Sequence, residues 1–125
     1  MNLYSYVTRI ETILRSREDF DLEALDIMLT SLGAVIKTRI NFYDGSQLSI
    51  SEHINVDTNQ QVDRKSYKFH YQATDGTLIF RYDNAPHHRD LSTFPAQKHT
   101  KDGVIEANPP DFTDVLREIE DLLYS

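Results

Sequence analysis

From Ala34 to Asp83 apolar and polar residues alternate, and this period of two predicts strands with one dry face and one wet face. Ile36, Ile40 and Phe42 alternate with Lys37, Arg39 and Asn41; Asp44-Gly45 supplies a tight turn, and Leu48, Ile50, Ile54 and Val56 resume the pattern. Residues 57–66, polar apart from Val62, predict a loop. Tyr67, Phe69 and Tyr71 then alternate with Lys68, His70 and Gln72, Asp75-Gly76 turns the chain, and Leu78, Phe80 and Tyr82 alternate with Ile79, Arg81 and Asp83. Four consecutive strands joined by short turns predict an antiparallel meander.

The flanks follow a different period. Leu3, Val7, Ile10 and Leu14 recur at helical spacing behind Asn2, which predicts an amphipathic helix over residues 2–16. Residues 22–32 fit two patterns: Leu22, Leu25, Met28, Leu29 and Leu32 suit a helix, while Leu25, Ile27 and Leu29 suit a strand. Residues 85–110 hold all four prolines and predict a long irregular connection, with at most a short edge strand around Val104 and Ile105. Asp111 is placed to cap a last helix whose Phe112, Val115, Leu116, Ile119 and Leu123 face inward. The expected fold is α+β, a single domain over residues 1–125. Its antiparallel sheet, a four-stranded meander or slightly larger, packs against N- and C-terminal helices.

Sorting the strands by face brings in chemistry. The wet face collects Lys37, Arg39, Asn41, Ser49, Ser51, His53, Lys68, His70, Gln72, Arg81 and Asp83, many of them cations or hydrogen-bond donors. Such a face is either solvated surface or a place for phosphate or nucleic acid. Glu52 breaks the pattern, falling on the apolar face between Ile50 and Ile54, where it needs a cation or a tyrosine hydroxyl and could also be held as a general base.

Charge sharpens this picture. The formal net charge is −7, yet residues 34–102 carry nine Lys or Arg against eight Asp or Glu, so the acid sits in the two ends. All five histidines fall in that middle region, leaving the sheet free to be locally basic. There is no cysteine, which excludes disulfides and thiol chemistry. Neither a signal peptide nor a membrane span is legible near the N-terminus, so a soluble cytoplasmic protein is expected.

Three of the histidines cluster after the fourth predicted strand, in Arg81-Tyr-Asp-Asn-Ala-Pro-His-His88 and again at Lys98-His99. Asn84-Ala-Pro86 stops the ladder, since proline lacks an amide hydrogen. Together with Tyr43-Asp-Gly-Ser46, Glu52, Tyr67, Tyr71 and Thr93-Phe-Pro95, this run resembles the TumE-like toxin family of toxin-antitoxin systems over residues 40–123. The resemblance implies a small cytoplasmic toxin held inactive by a cognate antitoxin protein, and it suggests RNA cleavage. Family members carry more histidine after the Phe-Pro pair, where this chain has Ala96 and Gln97. An antiparallel sheet with helices and a basic wet face is also similar in outline to RelE-like toxins, an analogy of fold alone.

Three functions compete for these residues. A metal-independent endoribonuclease would use His87 or His88 as base, His99 as acid, Arg81 with Lys98 on the phosphate, and Glu52 as a substitute base. Lys68, His70 and Arg39 would extend the RNA contact. A metal site would draw on Asp83, His87, His88 and His99, although adjacent histidines rarely reach one ion. A non-catalytic module for protein interaction or phosphate and RNA binding would need only a shaped loop, with Asp83, Asn84 and Pro86 fixing the turn. The ribonuclease alternative requires neither metal nor other cofactor. The expected partners are the antitoxin and RNA, with no membrane. A homo-oligomer, the RNA target and the cleavage rule are left open.

Overall fold

The computed structural model describes residues 1–124, in which two helices pack on one face of a seven-stranded sheet. Helix α1 (Leu3–Ser16) precedes strands β1 (Phe20–Leu29), β2 (Gly33–Phe42), β3 (Gln47–Val56), β4 (Val62–Gln72), β5 (Leu78–Asp83), β6 (Gln97–Thr100) and β7 (Gly103–Glu106), and helix α2 (Phe112–Tyr124) ends the chain. The strands lie side by side in sequence order, each antiparallel to the next. The α+β class holds, and the sheet has three strands more than the basic four-stranded expectation.

Of the added strands, β1 and β6 were hidden for physical reasons, as was the start of β4. In β1 the register slips between Leu22 and Ala24, so Phe20 and Leu22 face the core, as do Leu25 and Ile27 beyond the bulge. A phase slip from 22 to 25 mimics a helical step, which made residues 22–32 ambiguous. Strand β4 begins at Val62, so the predicted 57–66 loop shrinks to a turn whose Asp57 carboxylate accepts from the amides of Asn59 and Gln61. Its core-side position 64 is an arginine, whose guanidinium lies 4.3 Å from the Tyr67 ring centroid. Strand β6 offers no apolar alternation because its core-side residue is Lys98, partnered across the ladder with Tyr82. Of the long connection, residues 84–96 and 107–111 remain irregular, and β7 occupies the expected edge at Val104 and Ile105.

The helices are placed by their caps and their apolar faces. The Asn2 side chain accepts from the Ser5 amide at 2.8 Å. The Asp111 carboxylate accepts from the Thr113 amide while the Asp111 amide donates to Asp114 at 2.9 Å, a reciprocal cap for α2. Ile10 and Leu14 of α1 and Phe112, Val115, Leu116 and Ile119 of α2 join one core with Ile36, Ile40, Leu48, Ile54, Phe69, Tyr71 and Phe80. Arg9 ties the helices together through Asp111 at 2.8 Å. Burial opposes ionisation of Asp111, but bonds from Arg9 and Thr113 outweigh it and hold the carboxyl down to about 2.

Two predictions follow from this packing. A Cβ on Gly33 would stand 2.1 Å from the Ile54 carbonyl oxygen, so Gly33→Ala is expected to cost about 1–3 kcal/mol in urea unfolding. The stabilisation from Asp111 is fully present above the ordinary carboxylate value of 3.8 and is lost as pH falls towards about 2. Acid titrations of stability for the parent and Asp111→Asn are therefore expected to diverge above pH 4 and converge near pH 2.

Candidate functional site

Antiparallel register arranges the wet face of the sheet into two cross-strand rows. Arg39, Ser49, His70, Arg81 and His99 are successive partners from β2 to β6, and Lys37, Ser51, Lys68, Asp83 and Gln97 form the adjacent row. Lys37, Arg39 and Lys68 are exposed, whereas His70, Arg81 and His99 are half-buried. A cleft of about 580 Å³ opens where the rows reach β5 and β6, with Lys68, Arg81, Asp83, Pro86, His87 and His99 on its walls.

Asp83 is the centre of this cleft. Its carboxylate accepts from Gln97 Nε2 at 2.6 Å, Arg81 Nε at 3.0 Å and the Ala85 amide at 3.1 Å, and it lies 3.2 Å from His99 Nε2. Burial works against its charge, yet these donors and the neighbouring His99 and Arg81 lower its pKa below the ordinary aspartate value. His99 shifts the opposite way in charge terms. Burial and the Arg81 guanidinium, which sits 3.4 and 3.5 Å from its two ring nitrogens, outweigh the pull of Asp83 and lower its pKa. The ring is thereby kept neutral, oriented and beside a fixed cation.

The loop over the cleft is built by short-range bonds. The His87 amide donates to the Ala85 carbonyl at 2.8 Å around Pro86, a three-residue turn that suits the fixed φ of proline. Asn84 bridges to β4, accepting from the Tyr67 amide at 3.1 Å and donating to the Lys65 carbonyl at 3.0 Å. Further along, Arg89 lies over the Phe94 ring and Thr93 Oγ1 donates to the Ala96 carbonyl at 2.7 Å. His87 lines the cleft and is exposed, and the His88 ring meets that of His99 edge-on at 6.0 Å.

Two expected participants stand elsewhere. Lys98 projects to the helix side, where Nζ donates to Glu118 at 2.7 Å and lies over the Tyr82 ring at 5.0 Å, so it does not share a phosphate with Arg81. Glu52 is also on the helix side, bonded by the Tyr6 hydroxyl with Arg64 at 3.7 Å. Burial raises its pKa despite these partners, but the sheet separates it from the histidines. Of the expected RNA contacts, Lys68 borders the cleft, His70 bonds Gln72 at 3.1 Å, and Arg39 lies within 3.5 Å of Glu23. No group of three or more His, Asp or Glu side chains positioned to hold an ion occurs among the described residues. Gln97 was missed as a member of the site. Its neighbours in the sequence gave it no apolar pattern, and only its register opposite Asp83 makes it a cleft residue.

Comparison with protein families then decides the kinship of the chain, since the family model described as toxin TumE matches residues 9–123. The chain belongs to the TumE toxin family. That family match reaches back into α1, well beyond the 40–123 span of the sequence resemblance. No curated protein and no solved structure matches the chain. Membership of the TumE family puts it among the toxins of toxin-antitoxin systems, for which an antitoxin is the partner. Among the described residues no helix is long and apolar enough to cross a membrane. At the two positions where histidines were expected in the family, Ala96 and Gln97 are both buried.

The electrostatics of the cleft predict a signed response. By NMR titration the His99 imidazole is expected to protonate below the ordinary histidine value, Arg81→Met to raise that midpoint, and Asp83→Asn to lower it further.

Proposed function

We propose that this toxin is a metal-independent endoribonuclease whose active site is the Asp83–His99–Arg81 cleft. The supporting observation is the junction itself: a neutral, partly buried imidazole held by a carboxylate and flanked by a guanidinium, at the end of an open cationic face. With Nε2–H of His99 directed at Asp83, Nδ1 is left with a lone pair. That nitrogen takes the proton of a ribose 2′-hydroxyl, the 2′-oxygen attacks the adjacent phosphorus, and the bond to the 5′-oxygen breaks. His87 or His88 delivers a proton to the departing oxygen, giving a 2′,3′-cyclic phosphate and a 5′-hydroxyl end. Arg81 stabilises the charge that grows on the phosphoryl oxygens.

The roles differ from the sequence-based expectation. His99 suits the base because burial and Arg81 keep it unprotonated near neutral pH, and the loop histidines suit the acid. Glu52 and Lys98 have no part in the chemistry.

The test is cleavage of single-stranded RNA by purified protein in the presence of a chelator. His99→Ala is expected to lower the rate by about 10²–10⁴-fold, the range of a lost general base. Glu52→Gln, on the opposite face, is expected to retain cleavage. Intact RNA, or full activity in His99→Ala, would overturn the proposal. A second function, binding without cleavage, is favoured by one feature: Arg81 and His99 are both already satisfied by Asp83. Retention of RNA on the protein with no cyclic-phosphate product would select it.

A further inference from the structure

We infer that the wet face carries a second subsite, centred on Lys37 and Arg39, that anchors a single-stranded RNA several nucleotides away from the cleaved bond. The inference rests on the nucleic-acid reading of the Asp83–His99 cleft and extends it across the sheet. A second cavity of about 390 Å³ lies over β1 to β4, and Ser51 and Lys68 line both it and the catalytic cleft. The two spaces therefore adjoin at Ser51 and Lys68 and follow one another across the strands as a groove. Arg81 and Arg39 lie in the same cross-strand row, three strands apart, which is about 14 Å at the ordinary spacing of neighbouring strands. A single nucleotide does not span that distance; a strand laid across the sheet does.

The charges of the groove agree. Its walls hold five Lys or Arg (Lys37, Arg39, Lys65, Lys68, Arg81) against two aspartates, Asp26 and Asp83, in a protein whose net charge is −7. Asp83 is already engaged by four donors, and Asp26 faces Lys37 across the ladder. The Arg39–Glu23 pair is half-exposed on both sides and so holds Arg39 only weakly. Ser49 and Ser51 add hydroxyl donors between the cations. Neither row from β2 to β6 contains Phe, Tyr or Trp, and Tyr67, which borders the cleft, is buried, so the groove offers no exposed Phe, Tyr or Trp for base stacking. Affinity at the anchor end then comes from phosphates and tolerates any base. A single strand is required because attack by a 2′-hydroxyl needs the ribose free to bring it in line with the leaving oxygen, which a regular duplex prevents.

The experiment measures binding of a labelled, fully 2′-O-methylated RNA oligonucleotide, which cannot be cleaved, across a salt series. Lys37→Ala/Arg39→Ala is expected to weaken binding on the order of tenfold and to reduce the salt slope by about 1.4, the equivalent of two phosphate contacts on a single strand. Arg15→Ala/Arg117→Ala, which removes the same charge from the exposed helix surfaces, is expected to leave both quantities unchanged. Binding with that pattern, even if the protein cuts no unmodified RNA, supports the anchor and refutes only the chemistry proposed for the cleft. Equal affinity and slope in the Lys37/Arg39 variant and the parent overturn the anchor while leaving cleavage untouched. Displacement of the RNA by a poly-glutamate peptide that binds more tightly, and whose binding depends on Lys37 and Arg39, also overturns it by giving the groove to an acidic protein.

Discussion

The carboxylate of Asp83 must stay ionised in a largely buried position, and the cleft is organised by the donors that allow it. An isolated charge there would protonate or leave for solvent. Four groups prevent this: the Ala85 amide at the turn, Arg81 two residues earlier on β5 itself, and Gln97 and His99 from the neighbouring β6. Each of them is in turn fixed by the carboxylate. The turn starts where it does because Asp83 accepts from Ala85, and β6 is drawn alongside β5 with Gln97 and His99 pointing to the same face. One ionic centre thus sets the loop, the last hairpin and the orientation of the candidate base.

Segregation of charge between the two sides of the sheet follows from the same period of two. The helix side spends its few charged residues on internal pairs: Arg9 with Asp111, Lys98 with Glu118, Arg64 beside Glu52. The wet side leaves Lys37, Lys68 and the edge of Arg81 open. An acidic protein can therefore present a basic groove, because its surplus acid lies mainly in β1 and α2, and only Asp26 and Asp83 reach the groove walls. Net charge alone would have argued against any anionic ligand.

What the sequence could reveal tracks how well each element obeys its own periodicity. The β2–β5 hairpins were legible because alternating Ile, Phe and Tyr met Asp-Gly turns, and α1 and α2 because caps and apolar faces coincided. β1 was obscured by a bulge that shifts its phase by one residue, and the start of β4 by Arg64 standing in a core-side position. β6 was invisible because its inward residue is Lys98, whose aliphatic stem and ammonium pack over the rings of Phe80 and Tyr82. For the site, Arg81, Asp83 and His99 were legible as chemistry-bearing residues in one stretch. The wet-face placement of Arg81 and Asp83 was legible as well, but that of His99 was not, since placing Lys98 opposite His99 requires knowing that 97–100 is a strand. Gln97 carried no signal of its own, being one polar residue among many until register sets it against Asp83.

Comparison of the two buried carboxylates shows why a perturbed acid is not by itself a catalytic one. Both Glu52 and Asp83 suffer burial as their largest perturbation, and both lie in strands of the same sheet. Asp83 receives two side-chain donors and an amide at 3.1 Å or less, with His99 close behind, and its pKa falls. Glu52 has one hydroxyl donor in Tyr6 and a guanidinium only at 3.7 Å, and its pKa rises. A raised carboxylate is the sign usually sought in a general base, yet Glu52 looks into the interface between α1 and the sheet, against the Tyr6 ring. Its partners serve to seat α1, and the energy of that contact is structural. The depressed Asp83 does the converse: by staying charged it orients His99 while burial and Arg81 hold the pKa of that imidazole down, so the group proposed to react is the neighbour whose proton affinity burial, carboxylate and guanidinium set between them.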